Sequence, residues 1–415
     1  MALVLEGGRL IDGSGRDPVE HARVVVEGNR IASVGTAATG GEFPRGAEVF
    51  ELDGLTVLPG LIDLHSHMGI VTVGDLASLP LAVVAAQLFR NAELCLLSGH
   101  TTVREVGGAD GGLRQAIDQG LLPGPRLFPS GPLLSQSGGH GDLAPPFLAL
   151  EHRPAHGGGV PGLTQPHAVC DGPDEVRRAV RTAFRHGATQ IKVSVSGGVV
   201  SLTDRLEDVQ FTVEELRAAV EEAQARDTYV TAHAHNVHGI LNGLEAGVAC
   251  FEHGTFLDEA TAAKMAAAGA ALVPTLAVTR IFVEEAQRWG IPDAMVPRMA
   301  GIGEAMANAV KVAADAGVTV GSGTDILGPE QNRRGLELVL KAEILGPMAA
   351  IVSATRTNAK ILRREADLGT VEEGKLADVI ALDGDPLADP GIFDDPNRVV
   401  LVVKDGRVVK DTRGR

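Results

Sequence analysis

Glu175-Val-Arg-Arg-Ala-Val-Arg-Thr-Ala-Phe-Arg-His-Gly187-Ala-Thr-Gln-Ile191-Lys192-Val-Ser-Val195 decides between fold classes, because a helical period runs directly into a strand. Val176, Val180 and Ala183 share one helical face, and Gly187 stands where it can end the helix. The unit then repeats. Thr212-Val-Glu-Glu215 reads as a capping box, Leu216, Val220 and Ala223 define an apolar face, and the chain is delivered into Tyr229–His233. A crossover helix between two strands forces them to run parallel. Working outward, apolar strands alternate with helical stretches from Thr56 to about Arg363, and strand ends fall near His65, Glu105, Pro129, Val195, His233, His253, Thr275 and Asp325. Eight such units close most simply as a (β/α)8 TIM-type barrel of the α/β class.

The flanks differ from the middle. Leu3 to Glu6, Ala22-Arg-Val-Val-Val-Glu-Gly-Asn-Arg30 and, at the other end, Val399-Val-Leu-Val-Val-Lys-Asp-Gly-Arg-Val-Val are β-branched runs broken by glycine turns. They predict a small β-sandwich built from both chain ends, residues 1–58 and 366–415, around a barrel of residues 59–365.

Composition narrows the function. With 37 basic against 53 acidic residues and a net charge of −16, the surface is unsuited to nucleic acid or an anionic membrane, which leaves a small molecule as the expected partner. Cys95, Cys170 and Cys250 have neither CxxC spacing nor an even count, so neither a disulfide framework nor a thiolate metal site is indicated. Met1 to Asp12 lacks a basic start followed by a long apolar stretch, and a cytoplasmic location is the default expectation. A homo-oligomer is compatible with everything above.

The chemistry lies at the strand ends. In Leu61-Ile-Asp-Leu-His65-Ser-His67 the two histidines are two apart, so both rings project to the same side. An isolated His-x-His is a weak signal, and a single histidine such as His233 or His253 is as readily a hydrogen-bonded core residue. Four histidines that all select the C-terminal rim of a parallel barrel are a different matter, since that rim is where such folds place their active sites. Asp325, after Val318-Thr-Val-Gly-Ser-Gly-Thr, has small neighbours that leave a carboxylate room to reach a metal or a water, although alone it would read as a turn aspartate. Lys192 sits inside an apolar strand where an unpaired ammonium is costly. It either forms an ion pair or reacts with carbon dioxide to give a carbamate, N6-carboxylysine, an anion able to bridge two cations.

As a joint pattern these residues resemble the amidohydrolase superfamily over almost the whole chain. The resemblance rests on Leu58-Pro-Gly-Leu-Ile-Asp-Leu-His-Ser-His, Phe251-Glu-His-Gly, Gly323-Thr-Asp and Gly374-Lys-Leu-Ala-Asp-Val. It implies that His65, His67 and Asp325 hold one divalent metal, that His233 and His253 hold a second, and that carboxylated Lys192 bridges them. Ser135-Gln-Ser-Gly-Gly-His-Gly-Asp142, Lys192 running into Ser196-Gly-Gly-Val, and Ala232-His-Ala-His235 are similar to the branch of Xaa-Pro dipeptidases, imidazolonepropionase-like hydrolases and ochratoxin-degrading amidases.

The expected activity is hydrolysis of an amide bond, in an Xaa-Pro or other dipeptide or an N-acyl amino acid, by a hydroxide bridging two divalent ions; a carbamate, a lactone or a xenobiotic amide of ochratoxin type is the alternative. Two ions about 3.5–4 Å apart can acidify a shared water and polarise a carbonyl. Zinc suits mixed nitrogen and oxygen ligands, as manganese, iron or cobalt would. Asp325 is expected to take the water's proton and pass it to the leaving nitrogen. His235 faces the same mouth as His233 and is a candidate oxyanion donor, and His140, in a glycine-rich loop, is a candidate substrate contact. Arg205, Arg280, Arg333 and Arg334 follow strands and are candidates to clamp a substrate carboxylate. His21, His100, His152, His156, His167, His186 and His238 are assigned no catalytic role, and the single Trp289 announces no stacking pocket. A mononuclear deaminase shares the fold but lacks the bridging lysine, and a ligand-free scaffold would not retain all six metal-ligating positions.

Overall fold

The computed structural model describes residues 2–36, 38, 43–72, 79–144, 147, 159–160, 162–199, 201, 203–288, 293 and 296–413. His152, His156 and Trp289 lie outside the described residues. The chain divides into two compact units: Met1–Asp63 with Glu93–Thr102 and Asn332–Arg415, and Leu64–Ala92 with Val103–Gln331.

The second unit is built on a parallel sheet. His167–Val169, Leu133–Ser135, Ile191–Ser194, Val230–Ala234, Cys250–His253, Ala271–Val273 and Thr319–Val320 lie side by side in that order, every pairing parallel. Arg126–Pro129, His100–Glu105 and Leu61–Ser66 form a second hydrogen-bonded set. Backbone bonds run between the two sets: Ser130 N–H donates to the Glu105 carbonyl at 2.8 Å and Asp325 N–H to the His65 carbonyl at 2.8 Å. Helices Gly172–Arg185, Val213–Gln224, Val237–Ala246 and Glu259–Ala268 alternate with these strands.

Local chemistry sets the helix ends. Thr212 and Glu215 exchange the two bonds of a capping box, and Asn236 and Asp258 cap the next two helices by accepting from Gly239 and Thr261. Val176, Val180, Ala183, Leu216, Val220 and Ala223 are buried in one apolar cluster with Val193, Val230, Ala232 and Phe251 from the strands. Each fully buried valine, leucine or phenylalanine among them contributes roughly 1.5–3 kcal/mol.

Two strands differ from expectation. The third strand end, expected at Pro129, is followed after Ser130-Gly131-Pro132 by a further short strand, Leu133–Ser135. Gly131 takes φ +70°, which a glycine adopts without strain, and Pro132 has no N–H for a ladder. The eighth run pairs only over Thr319–Val320, because Gly321-Ser322-Gly323 adds no ladder and leaves Asp325 in irregular backbone.

The first unit contains two sheets. Arg30–Thr36, Ala22–Glu27, Ala2–Glu6 and Glu48–Glu51 form one. The other orders Arg9–Leu10, Thr56–Pro59, Val379–Leu382, Val399–Lys404 and Arg407–Asp411, so residues from both chain ends share it. One apolar cluster takes Leu3, Val24 and Ile31 from the first sheet and Val379, Leu401 and Val403 from the second. Among the described residues no helix is long and apolar enough to cross a membrane.

His100 in this unit is buried, its Nδ1 3.1 Å from Ser98 Oγ, and burial pushes its pKa from an ordinary 6.5 down to about 4. The folded state therefore binds fewer protons than the unfolded chain between those values. This contribution to stability is whole above pH 6.5 and is lost as the pH falls toward 4, by about 1.4 kcal/mol per pH unit. Urea titrations of the wild type and His100→Gln from about pH 7.5 down to about pH 4, a range that covers this window of about two and a half units, should show the shallower pH slope in the variant.

Candidate active site

All eight candidate residues come together in the second unit. His65 lies on Leu61–Ser66, with His67 just past its end; Lys192 is inside Ile191–Ser194; His233 is on Val230–Ala234 and His235 follows it; His253 ends Cys250–His253; Asp325 follows Thr319–Val320. His140 is in the loop after Leu133–Ser135, its ring stacked on His233 at a centroid separation of 4.0 Å. Every one except Asp325 and His140 is buried, with less than a tenth of its surface exposed.

Ring protons can be placed from fixed acceptors. A carbonyl or a carboxylate only accepts, so a ring nitrogen bonded to one carries the hydrogen. His65 Nδ1 donates to Glu252 Oε2 at 2.7 Å, and His67 Nδ1 donates to the Gly107 carbonyl at 2.5 Å. The Nε2 atoms of both rings are thereby left as acceptors. They lie 3.2 Å apart, and Asp325 Oδ1 is 3.4 Å from one and 3.1 Å from the other. These three groups repel at this range unless positive charge, a proton on His67 or a metal ion, lies between them. Burial lowers the His67 pKa, but the Asp325 and Glu105 carboxylates more than offset it, so the net shift is upward. Burial likewise opposes the charge of Asp325, yet His65 and His67 hold its carboxyl well below the usual range.

The second half is similar. His233 Nε2 donates to the Gly197 carbonyl at 3.1 Å, which makes its Nδ1 an acceptor 2.9 Å from His253 Nε2. His253 Nδ1 is 2.6 Å from Thr275 Oγ1, and His235 Nδ1 is 2.6 Å from Thr255 Oγ1. Burial depresses the pKa of His140 to about 4 and of His235 to about 3, and it drives His233 and His253 well down too. Neutral imidazole is the form that binds metal. His233, His235 and His253, and separately His65, His253 and Asp325, stand close enough to hold an ion.

Lys192 is buried, and among the described residues its Nζ has no hydrogen-bond partner. Burial lowers its pKa to about 8 against the pull of Glu252 and Asp325. Glu252 does not bond it, because that carboxylate is already taken by His65, by Arg104 Nη2 at 2.6 Å and by the Thr231 hydroxyl.

Glu252 and Arg104 were not singled out by the sequence reading. Both are fully buried. Parity could have found them: Glu252 is the register partner of His233, so it shares that face of the sheet. Strict alternation would then turn His253 away, but His253 has a left-handed backbone, φ +67°, that brings both side chains to one side. Asp325 and Thr275, each at φ +57°, carry the same uncommon conformation. The arginine candidates are elsewhere. Arg334 is buried against Asp63 in the first unit, Arg333 pairs with Asp394, Arg205 pairs with Asp208, and Arg280 is exposed.

Residues 56–409 match the amidohydrolase family. A prolidase solved in complex with N-methylphosphonate-L-proline is 37% identical, covers 99% of this chain and 100% of its own, and superposes with a TM-score of 0.92. A Xaa-Pro dipeptidase with bound methionine in its active site is 33% identical over 99% of this chain and 100% of its own, with a TM-score of 0.86. The ochratoxinase of Aspergillus niger is 33% identical over 98% of this chain and 86% of its own length. The chain belongs to the amidohydrolase family and has its TIM-barrel type of fold. It is a hydrolase acting on amide bonds.

Arg104 and Glu252 are the one pair of opposite charges sealed beneath this cluster among the described residues. Arg104→Met should cost about 3–5 kcal/mol in urea unfolding, because it leaves Glu252 buried and uncompensated. Arg104→Met combined with Glu252→Leu should cost clearly less than the two single changes summed.

Proposed function

We propose that this chain is a binuclear metal-dependent amidohydrolase that cleaves a dipeptide, Xaa-Pro or another with a free C-terminal residue, or an N-acyl amino acid. The observation that carries the reading is the convergence of His65 Nε2, His67 Nε2 and Asp325 Oδ1 at 3.1–3.4 Å. Ligands about 2.0–2.1 Å from a divalent ion have this mutual spacing. The Nδ1 and Nε2 atoms of His233 and His253 supply the second position, and the unpartnered Nζ of Lys192 supports its conversion to N6-carboxylysine between the two. An ammonium left in that place would be buried with no acceptor. Zinc is the metal that this donor set suits best.

When bound, the ions supply Lewis acidity toward a carbonyl and acidify a water. The rest belongs to the chain. Asp325, beside His65 and His67, accepts the water's proton and returns it to the leaving nitrogen. His235, held by Thr255, and His140, held by Ser201 Oγ at 2.9 Å, present their remaining ring nitrogens to the substrate as donors. Glu252 keeps the His65 ring in the tautomer that leaves Nε2 unprotonated.

Closure of the eight strands into a complete barrel is part of this proposal. It is supported by Leu64 N–H donating to the Ser322 carbonyl at 3.0 Å, next to the Asp325–His65 bond. So are the division at residues 58 and 365 and the packing of the terminal sheets as a sandwich, which their shared apolar cluster favours. The likeness to ochratoxinase over 98% of the chain favours a second substrate reading, a xenobiotic amide of that type, with carbamates and lactones as chemical neighbours.

Elemental analysis of protein grown with zinc and bicarbonate should give two metal ions per chain, and a panel of dipeptides, N-acyl amino acids and ochratoxin-type amides should reveal turnover in one class. Fewer than two ions, with no turnover across the panel, overturns the proposal. Asp325→Asn should lower kcat by about 10²- to 10⁴-fold while KM moves little, and near-normal turnover would remove Asp325 from proton transfer.

A further inference from the structure

Thr275 follows the strand Ala271–Val273 and occupies the N-cap position of the helix Leu276–Glu284. A threonine there ordinarily has extended backbone and spends its hydroxyl on the first helical N–H groups. Thr275 does neither. Its backbone is left-handed, φ +57° and ψ +46°, and its side chain makes no capping bond. For a β-branched residue that conformation is a genuine outlier, and such strain persists only where surroundings over-determine it. The side chain is fully buried, and its Oγ1 lies 2.6 Å from His253 Nδ1. Asn236 and Asp258 show what the same position does elsewhere in this unit: both are extended, and both cap.

From these departures we infer that Thr275 is a positioning residue for the second metal position, kept in a strained turn so that its hydroxyl fixes the His253 ring with Nε2 facing His233. The inference rests on the binuclear reading above. His253 needs this support more than its neighbours do, because its own backbone is left-handed at φ +67° and regular strand geometry does not aim its ring. His65 and His67 are oriented by a carboxylate and a carbonyl, and His233 by the Gly197 carbonyl. For His253 the partner is Thr275 Oγ1.

Thr275→Gly and Thr275→Ser separate this role from packing. Glycine accepts a positive φ without strain but loses the hydroxyl, whereas serine keeps the hydroxyl. Zinc affinity, measured by chelator competition, should fall about 10- to 100-fold in Thr275→Gly and stay within about threefold of wild type in Thr275→Ser. The metal-free Thr275→Gly protein should melt close to wild type, because relief of the turn offsets the lost side chain. Long-range ¹H–¹⁵N spectra of the metal-free proteins should show His253 in a single tautomer in wild type and Thr275→Ser, and in mixed forms in Thr275→Gly. Unchanged zinc affinity in Thr275→Gly, or a Thr275→Ser protein as weak as the glycine variant, overturns the inference. If wild type takes up no zinc at all, the binuclear reading fails, while the tautomer spectra still decide whether Thr275 orients His253.

Discussion

Glu252 is the constraint on which the described cluster depends. A carboxylate at full burial is tolerable only if its lone pairs are filled, and here Arg104, Thr231 and His65 fill them. Each bond does a different job. Arg104 balances the charge, Thr231 locks the carboxylate to its neighbouring strand, and the His65 bond passes the arrangement upward by fixing which ring nitrogen carries the proton. Arg104 is in turn held by the Leu64 carbonyl at 2.6 Å, one residue before His65 on the same strand. Strand Leu61–Ser66 is thus tied at backbone and side chain to the same buried pair, which makes the position of His65 a property of the packed unit and not of one rotamer.

Much of this was legible before any coordinates. The capping box at Thr212, the apolar face from Val176 to Ala183 and the alternation of helix with short strand follow from periods of 3.6 and 2, which depend on near neighbours alone. That His65, His67, Lys192, His233, His253 and Asp325 meet in one cluster was legible for a related reason: residues two apart share a face, and strand ends in a parallel sheet collect on one edge. Leu133–Ser135 was missed because Ser130-Gly131-Pro132 is a turn signal that hides a strand resuming three residues later. Glu252 and Arg104 were missed although a charge within an apolar strand is itself a signal, the one that did single out Lys192. A buried charge announces that it needs a partner; the partner is chosen by the sheet, 148 residues away in the chain for Arg104 and Glu252.

Left-handed backbone at His253, Thr275 and Asp325 lay beyond sequence reading for a different reason. Nothing in the local residue types asks for it: threonine resists positive φ, and histidine and aspartate adopt it in a small minority of cases. The conformations are imposed by what the side chains must reach. Three strand ends that break regular geometry at the same edge are the expected cost of turning side chains from successive strands toward one point, since strict alternation would send some of them outward.

The electrostatics of the cluster then bear on what kind of molecule it can hold. The chain as a whole is strongly acidic at −16, which at long range disfavours an anionic substrate, but salt screens surface charge beyond about 8 Å at physiological ionic strength. Within that distance the cluster's own charges count. Glu252 is matched by Arg104, His140, His233, His235 and His253 are driven toward neutrality, and Asp325 is the carboxylate that converges with His65 and His67, with Glu105 acting on His67 as well. Two divalent ions held there would outweigh Asp325 and a carbamate together and leave the mouth positive. A substrate carboxylate could then be drawn in without a dedicated arginine, which agrees with Arg205, Arg280, Arg333 and Arg334 all being engaged or placed elsewhere. Recognition would rest instead on the donors of His140 and His235, whose neutral rings give direction without adding charge, so the bond that is cleaved would depend on how a substrate's polar groups meet two imidazoles.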